Sequence, residues 1–320
     1  MLTVSADSAS ELFTATCRAV LATGKPVSPR GMATVEVLGA TLCLTNPRHR
    51  FVDLPPVRVL NPAFAAAEMA WVLSGSDDPW IFQYNRRLAD YADHGRLMGA
   101  YGPRLRRWHG VIDQLARVRE LLAADPDTRR AVVQLFDPDA DFRGYKDVPC
   151  TLGYHFFLRD GLLQMHTTMR SQDLWLGFCY DIFTATVIQE LLAGWLGAGL
   201  GSYCHRVDSL HLYEGDLPAA RRLPEPAGPG PMMTQLAVQW DALDEVLGQV
   251  ISGRPVTGAG WAEIGVVLAS YRYWKTGDRR AARQAVAQRP GPLAAALYRW
   301  YDRLEQGRRG ERPVSNGGSR

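Results

Sequence analysis

One stretch of the chain, residues 147–181, combines a thiol, an anion-binding pair and an isolated acid. Cys150 stands at the start of a predicted strand, Arg170 and Ser171 follow the next strand, and Asp181 ends an apolar turn. A free buried cysteine is usually a small apolar side chain, but a cationic neighbour lowers its pKa and makes it a nucleophile. A guanidinium beside a hydroxyl suits a phosphate. Together these residues indicate a thiolate beside a bound phosphate ester.

A predicted β-hairpin brings these groups together. Residues 151–158 and 162–169 partly alternate, and Asp160-Gly161 between them is a strong signal for a two-residue turn. In an unbulged ladder with this turn, residue i faces residue 321 − i. Cys150 would then lie opposite Ser171 and beside Arg170.

The remaining pattern predicts alternating strands and helices before residue 220 and helices after it. The predicted strands cover residues 34–37, 40–44, 131–136 and 202–213. The predicted helices cover residues 7–23, 62–74, 80–94, a long segment ending near 124, 181–197, 240–252, 259–274, 277–287 and 292–306. We expect a catalytic core over residues 1–225, a helical part over 226–306 packed on the same domain, and a disordered tail over 307–320.

The composition excludes several classes of protein. Three of the 36 basic residues are lysines, which leaves 33 arginines, and basic runs are too short for a nucleic-acid surface. Five cysteines, an odd number without a CxxC pair, suggest neither a metal site nor a disulfide framework. No signal peptide is evident, and Gln189 and Glu190 interrupt the longest apolar run. We therefore expect a cytoplasmic protein without a membrane span or a bound metal.

Four further charged residues have both a structural and a functional interpretation. Glu68 lies among apolar helical residues, where a carboxylate is costly unless it is paired or used; an exposed helix face is the alternative. Arg30 lies in a loop marked by Gly and Pro residues, where it is either a solvated charge or a residue that binds a ligand. Arg129 and Arg130 start a strand, where neighbouring side chains point to opposite faces, so both gripping one anion within one chain would be unusual.

Several motifs in this chain closely resemble those of the thymidylate synthase family. They are VPC at 148–150, DG at 160–161, MRSQD at 169–173, LGFCYD at 176–181, HLY at 211–213, GAYG around Tyr101 and AEMAWVLSG around Glu68. The resemblance covers about residues 10–220 and is weak beyond 225. It implies an α+β fold in which helices pack a large mixed β-sheet, and an obligate homodimer formed sheet to sheet.

The resemblance implies how a pyrimidine nucleoside monophosphate would bind. The phosphate would be held by four arginines and a serine: Arg30, Arg129, Arg130, Arg170 and Ser171. Arg129 and Arg130 would come from the partner subunit, which would resolve the puzzle of two adjacent arginines. His211 and Tyr213, two positions apart on one face of a strand, would bind the sugar hydroxyl.

The resemblance also implies the chemistry. Cys150 would add to carbon 6 of the pyrimidine and make carbon 5 nucleophilic toward the methylene of 5,10-methylenetetrahydrofolate. Glu68 would run proton transfers through water, and Tyr101 would lie beside the thiol. Asp173 and Gly177 would contribute to the folate site, with Asp173 on the pterin.

Departures from the family pattern bear on the substrate and the product. Asp181 replaces the asparagine that reads uracil, and an ionised aspartate can accept hydrogen bonds only, from an exocyclic amine and a protonated N3. This replacement marks the cytidylate and deoxycytidylate hydroxymethylase branch. Thr151 replaces a histidine, Leu88 and Tyr91 replace two tryptophans near the folate, and the apolar C-terminal closure is absent. A wetter pocket would let water, rather than hydride, complete the reaction.

We therefore predict a folate-dependent hydroxymethyltransferase that acts on CMP, and also on dCMP, to give 5-hydroxymethylcytosine nucleotide and tetrahydrofolate. The arginine bias is typical of a GC-rich bacterium, in which related enzymes serve nucleoside-antibiotic biosynthesis. The alternatives are a dCMP hydroxymethylase for modified DNA, a dUMP methyltransferase, and a catalytically silent nucleotide- or RNA-binding member.

Overall fold

A computed structural model describes residues 1–310 and the side chains of residues 1–306. Within that range the strands are β1 (Leu2–Ala6), β2 (Lys25–Val27), β3 (Thr34–Leu44), β4 (Val132–Gln134), β5 (Thr151–Arg159), β6 (Leu162–Met169), β7 (Gln172–Asp173) and β8 (Gly199–Tyr213). The α-helices are α1 (Ala9–Thr23), α2 (Pro62–Leu73), α3 (Tyr101–Arg106), α4 (Gln114–Ala124), α5 (Pro138–Asp141), α6 (Phe178–Trp195), α7 (Leu217–Arg221), α8 (Leu243–Ser252), α9 (Ala259–Thr276), α10 (Arg279–Ala287) and α11 (Pro292–Gly310). None of these helices is long and apolar enough to cross a membrane.

The strands form one mixed sheet of eight strands in the order β1-β3-β8-β6-β5-β4, with β2 added to β3 and β7 added to β8. The pairs β1–β3, β6–β8 and β7–β8 are parallel and the others are antiparallel. The long strand β8 is central, and the short strand β7 pairs with its last residues. The predicted α+β fold with a large mixed sheet is confirmed.

The two faces of the sheet differ in their surroundings. Along β3, β5, β6 and β8, fully buried side chains alternate with partly exposed ones, as the two-residue period of a strand requires. The buried face packs against α1 and α6. Helix α6 is apolar on nearly all sides and lies in the interior, with α2 packed beside it. The other face carries partly exposed side chains.

The C-terminal helices pack on the helix that carries Glu68. Both α9 and α11 contact α2, and α9 also contacts α8 and α10. The last helix extends to Gly310, four residues beyond the predicted boundary at 306. Residues 311–320, the rest of the predicted disordered tail, lie outside the described residues.

Two of three local predictions differ from the structure. The predicted helix over 80–94 consists instead of two short 3₁₀ turns, Pro79–Gln83 and Arg86–Tyr91, and Asn85 caps the second of them through its side chain. The two strands predicted around Gly39 are one strand, because a glycine adopts the observed φ of 70° without strain. The predicted hairpin is confirmed: Asp160 and Gly161 both have the positive φ of a tight two-residue turn.

Candidate active site

A β-bulge sets the position of Cys150. The ladder between β5 and β6 pairs i with 321 − i down to Gly153, and it then shifts by one residue. The carbonyl of Cys150 consequently accepts a hydrogen bond from the backbone N–H of Arg170 at 2.9 Å. The expectation that Cys150 faces Ser171 was wrong by one position, because it assumed an unbulged ladder.

The side chain of Arg170 holds the segment that ends at Cys150. Its Nε donates to the carbonyl of Pro149 at 2.9 Å, and its Nη2 donates to the carbonyl of Val148 at 3.0 Å. The same Nη2 lies 3.8 Å from Cys150 Sγ. Burial raises the pKa of the Cys150 thiol, and the charge of Arg170 opposes that rise. The predicted neighbour of the thiol is therefore in place, and it also orders the loop.

Two carboxyl groups lie close to each other on neighbouring helices. Glu68, on α2, has its pKa raised to about 8, first by burial and then by the negative charge of Asp181. Asp181, in the first turn of α6, has its pKa raised to about 6 by burial, while a hydrogen bond from Gln172 opposes the rise. Desolvation disfavours the charged form of a carboxyl, which explains both directions. Two acids with different proton affinities can hold and pass protons near neutral pH.

Two tyrosines share this cleft. The hydroxyl oxygen of Tyr101 accepts hydrogen bonds from the backbone N–H of Thr151 at 3.2 Å and from its Oγ1 at 3.1 Å. Burial raises the pKa of Tyr101, and the charges of Asp181 and Cys150 raise it further. Burial and Asp181 also raise the pKa of Tyr154. Tyr101 therefore stays a neutral phenol beside the thiol.

A buried polar chain behind Asp181 was missed by the sequence analysis. Gln172 Nε2 donates to Asp181 Oδ2 at 2.9 Å, and Gln172 Oε1 lies 2.8 Å from Nε2 of His205. Nδ1 of His205 lies 2.8 Å from the hydroxyl of Tyr203, which lies 2.8 Å from Oγ1 of Thr167. Gln172, His205 and Tyr203 are almost fully buried. The alternation of β8 placed His205 on the same face as Tyr203, and that was the available signal.

The segment between β7 and α6 is built by Asp173 and Gly177. Oδ1 of Asp173 accepts hydrogen bonds from the N–H groups of Trp175 at 2.8 Å and Leu176 at 3.0 Å, which closes the turn. A Cβ on Gly177 would lie 2.7 Å from Nε2 of Gln172, closer than atoms tolerate. The glycine therefore gives Gln172 the room to reach the acid. Both residues are partly exposed.

Several of the remaining predicted ligands of this subunit lie near one another. His211 pairs with Asp173 across β7 and β8, and its ring lies 5.2 Å from that of Tyr213. Burial raises the pKa of Tyr213, and the charges of Asp173 and Tyr91 raise it further, whereas the charge of Arg30 lowers it. These three residues are therefore close enough to Tyr213 to act on its hydroxyl. Tyr91 is 55% exposed. Leu88 is partly buried and Ser171 is partly exposed.

Arg129 and Arg130 do not lie with the other predicted ligands. Both are exposed and precede β4, whose residue Gln134 pairs with Gly153 near the bulge. Arg130 lies four positions before Gln134, which is about 13 Å along an extended chain. The carbonyl of Arg129 lies 3.0 Å from the ring nitrogen Nε2 of His155, on the partly exposed face of the sheet. Their own subunit therefore does not bring them to Cys150.

Comparison with known proteins identifies the family. A family model described as thymidylate synthase matches residues 11–240 of the chain. Three proteins named deoxyuridylate hydroxymethyltransferase are similar to it. The protein of Bacillus phage SP01 is 36% identical over 230 residues, which are 68% of this chain and 60% of that protein.

The other two relatives match shorter segments. The protein of Pseudomonas phage M6 is 35% identical over 49% of this chain and 46% of its own length. The protein of Delftia phage PhiW-14 is 34% identical over 53% of this chain and 51% of its own length. The chain thus spans about half to three fifths of the length of these relatives. Because the family model covers most of the chain and the sheet has the expected form, the chain belongs to the thymidylate synthase family.

Proposed function

We propose that the protein is a folate-dependent hydroxymethyltransferase that acts on a cytosine nucleoside monophosphate, CMP or dCMP. One observation carries the proposal: the carboxyl group of Asp181 lies close enough to the thiol of Cys150 and to the carboxyl of Glu68 for its charge to raise the pKa of both. The names of the three relatives support hydroxymethylation as the reaction. The bacterial antibiotic pathway suggested by the arginine-rich composition is the proposed setting.

The first step would be addition of the Cys150 sulfur to carbon 6 of the base. The thiolate is the reactive form, and burial raises the pKa of this thiol. Arg170 lies 3.8 Å away and opposes that shift, and a bound phosphate would bring further arginines nearby. The bulge and the two carbonyl bonds of Arg170 hold the sulfur at the end of its strand.

Glu68 would transfer protons during the reaction, and Tyr101 would act as a hydrogen-bonding group beside the sulfur. With its pKa raised to about 8, Glu68 is mostly protonated at neutral pH and can give a proton to the base and take it back. Tyr101 stays protonated and accepts hydrogen bonds from Thr151, so its own proton points away from that residue. It would orient a water or the base edge beside the sulfur.

Asp181 would read the base. Cytosine presents an amine at carbon 4 as a donor and N3 as an acceptor, whereas uracil presents O4 as an acceptor and N3–H as a donor. An ionised carboxylate only accepts, so it matches cytosine once N3 carries a proton. Addition of sulfur to carbon 6 drives electron density toward N3 and favours that proton. The carboxylate of Asp181 would accept hydrogen bonds from N3–H and from the exocyclic amine of the resulting neutral adduct.

The residues at the cleft mouth fit a folate. The partly exposed carboxyl of Asp173 and the exposed ring of Tyr91 both raise the pKa of Tyr213, so both lie near that residue. A planar pterin would stack on the ring of Tyr91 and donate its N–H groups to the carboxyl of Asp173. Leu88 and Gly177 would add apolar contact and room. When bound, 5,10-methylenetetrahydrofolate would supply the one-carbon unit that carbon 5 attacks. Smaller and more exposed groups than tryptophan would admit the water that completes hydroxymethylation.

The phosphate and the sugar complete the substrate. Arg30 and Ser171 lie at the rim and would hold the phosphate together with Arg170, while His211 and Tyr213 would contact the sugar hydroxyl. Arg129 and Arg130 would come from the partner of a homodimer formed through the partly exposed sheet face. Their distance from Cys150 within one chain supports that arrangement.

A second candidate substrate is dUMP, because the three relatives are named for it. A protonated Asp181 has one accepting and one donating oxygen, which would match N3–H and O4 of uracil as asparagine does. Its pKa, raised to about 6, makes that form accessible in mild acid. The uracil reaction would therefore weaken as the pH rises above about 6, whereas the cytosine reaction would not.

The test is incubation with CMP, dCMP, UMP and dUMP, each with 5,10-methylenetetrahydrofolate, followed by mass analysis of the nucleotide. We expect 5-hydroxymethylcytosine nucleotide, no rise in dihydrofolate absorbance, and no product with Cys150→Ala. Dihydrofolate formation would show hydride transfer and overturn hydroxymethylation. Full turnover by Cys150→Ala would overturn the covalent mechanism, and a uracil product alone would overturn the base assignment.

A further inference from the structure

The directions of the hydrogen bonds behind Asp181 follow from one backbone carbonyl. Gln172 Nε2 lies 2.9 Å from Asp181 Oδ2 and 3.2 Å from the carbonyl oxygen of Asp173. A backbone carbonyl only accepts, so the side-chain atom that faces it must be the amide nitrogen. The oxygen of the Gln172 amide therefore faces His205, and Nε2 of His205 must carry the proton that Oε1 accepts.

The next contact follows from the state of the histidine. Burial lowers the pKa of His205 to about 3, so the ring is neutral and its Nδ1 is an acceptor. The hydroxyl of Tyr203 lies 2.8 Å from that Nδ1 and 2.8 Å from Oγ1 of Thr167. His205 and Gln172 thus donate in turn toward Asp181, and hydrogen bonds in such a chain polarise and strengthen one another.

We propose that Gln172, held in one orientation by His205, is a positioning residue that decides which pyrimidine Asp181 accepts. The hydrogen bond that Gln172 donates is stronger to the ionised carboxylate than to the neutral acid, so it favours the form of Asp181 that only accepts hydrogen bonds. That form matches the amine and the protonated N3 of cytosine, whereas uracil requires the protonated acid. This inference rests on the proposed function, and it adds a residue outside the substrate cleft that sets base selectivity.

The geometry of Gly177 supports a dedicated contact. A side chain at this position would start 2.7 Å from Gln172 Nε2 and 3.3 Å from Asp181 Oδ2. The backbone of Gly177 has φ −77° and ψ −52°, which any residue adopts, so the backbone does not require glycine here. The space between the amide and the acid does. Gly177→Ala therefore breaks the contact without changing either partner.

Other groups also act on Asp181 and have to be held constant in a test. They are Glu68 on α2, Tyr101 on α3, Cys150 and Tyr154 at β5, Asp173 on β7, Cys179 on α6 and Tyr203 on β8. None of these is changed by a substitution at Gln172. A difference between wild type and a Gln172 variant therefore reports the contact itself.

The experiment uses Gln172→Met, which keeps length and volume but cannot donate. Loss of a hydrogen bond that is donated to a carboxylate raises the pKa of that acid. We therefore expect the titration of Asp181 to move up by about one pH unit. The titration is followed by carbon NMR of protein labelled at the aspartate carboxyl, with Asp181→Asn to assign the signal. The ratio of cytosine to uracil nucleotide binding, measured by calorimetry at pH 7, should fall about tenfold.

Gly177→Ala and His205→Phe should move the Asp181 titration and the binding ratio in the same direction by smaller amounts. These two variants replace Gln172→Met in the test if that variant does not fold. Gln164→Met is the matched control. Gln164 on β6 forms hydrogen bonds with Ser202 on β8, away from the side chains that lead to Asp181, so its substitution should change neither the titration nor the binding ratio. An unchanged Asp181 titration and an unchanged binding ratio in Gln172→Met and Gly177→Ala would overturn the inference. Failure of the proposed function is separate: wild type would then form no hydroxymethyl product, whatever the titration shows.

Discussion

Buried carboxyl groups are treated differently in the helical C-terminal part and in the cleft. Glu263, on α9, is 4% exposed, and both of its oxygens have donors. Oε1 accepts from the N–H groups of Leu293 at 2.8 Å and Ala294 at 3.3 Å, and Oε2 accepts from Thr234 at 2.8 Å. The first N–H groups of α11 thereby find a partner that the helix itself cannot supply.

The cleft leaves its acids short of partners. Among the described residues, none donates a hydrogen bond to Glu68, and Asp181 receives one, from Gln172. Burial raises the pKa of both acids. In the helical part the donors are fixed when the chain folds, whereas in the cleft a ligand would have to supply them. Uncompensated burial is therefore the property that makes the cleft the candidate functional region.

The largest expected contrast comes from the same substitution in both regions. Glu68→Gln should lower kcat about 10²- to 10³-fold, because proton transfer is lost, and should leave the free energy of unfolding unchanged or higher. Glu263→Gln should lower the free energy of unfolding by about 2 kcal/mol, because a neutral amide oxygen accepts from the N–H groups of the helix more weakly than a carboxylate, and should leave kcat within about twofold. Steady-state kinetics and urea unfolding measure both. Equal stability losses would contradict the comparison.

Asp181→Asn sharpens the contrast within the cleft. The amide can donate to O4 and accept from N3–H, so the ratio of kcat/KM for cytosine to uracil nucleotides should fall about a hundredfold. Competition assays with mixed nucleotides, read by mass, measure this ratio. A variant that keeps its preference for cytosine would show that another residue reads the base.

The cleft, unlike the helical part, should be completed from outside its own chain. Arg129→Glu/Arg130→Glu and Cys150→Ala should each be inactive alone. Equal mixtures, exchanged and reassembled, should recover about a quarter of wild-type activity, because half of the dimers would carry one intact site. Analytical ultracentrifugation confirms the dimer. No recovery in mixed dimers would place the arginines outside the site.

The pH dependence of stability gives the smallest effect. The folded-state pKa of Glu68, about 8, lies above its ordinary value of 4.5, so its stabilising contribution is complete below about pH 4.5 and is lost as the pH rises through 8. Relative to Glu68→Gln, wild type should lose about 2–4 kcal/mol between pH 5 and 9. For Asp181→Asn the corresponding loss should end near pH 6, because that pKa is about 6. Coincident pH windows would contradict the distinct environments of the two acids.

Much of the site could be predicted because it is local in the sequence. Cys150 and Arg170 flank one hairpin whose turn chemistry is explicit in Asp160-Gly161, and Asp181 follows shortly after it in the chain. The apolar residues around Glu68 on its helix already indicated that an ionised carboxylate there is energetically unfavourable. The bulge could not be predicted, because one extra residue in a ladder leaves no mark in the alternation until the partner strand is known.

By itself, the amino-acid sequence determined the fold class, the candidate nucleophile, the candidate acids and the order of the motifs, because turn chemistry and apolar period are properties of neighbouring residues. Only the tertiary structure decided which groups meet. It joined Gln172 on β7 to His205 on β8 and to Asp181 on α6, and it kept Arg129 away from Cys150. Contacts between distant segments depend on packing and register, and a single sequence does not encode them in any local pattern.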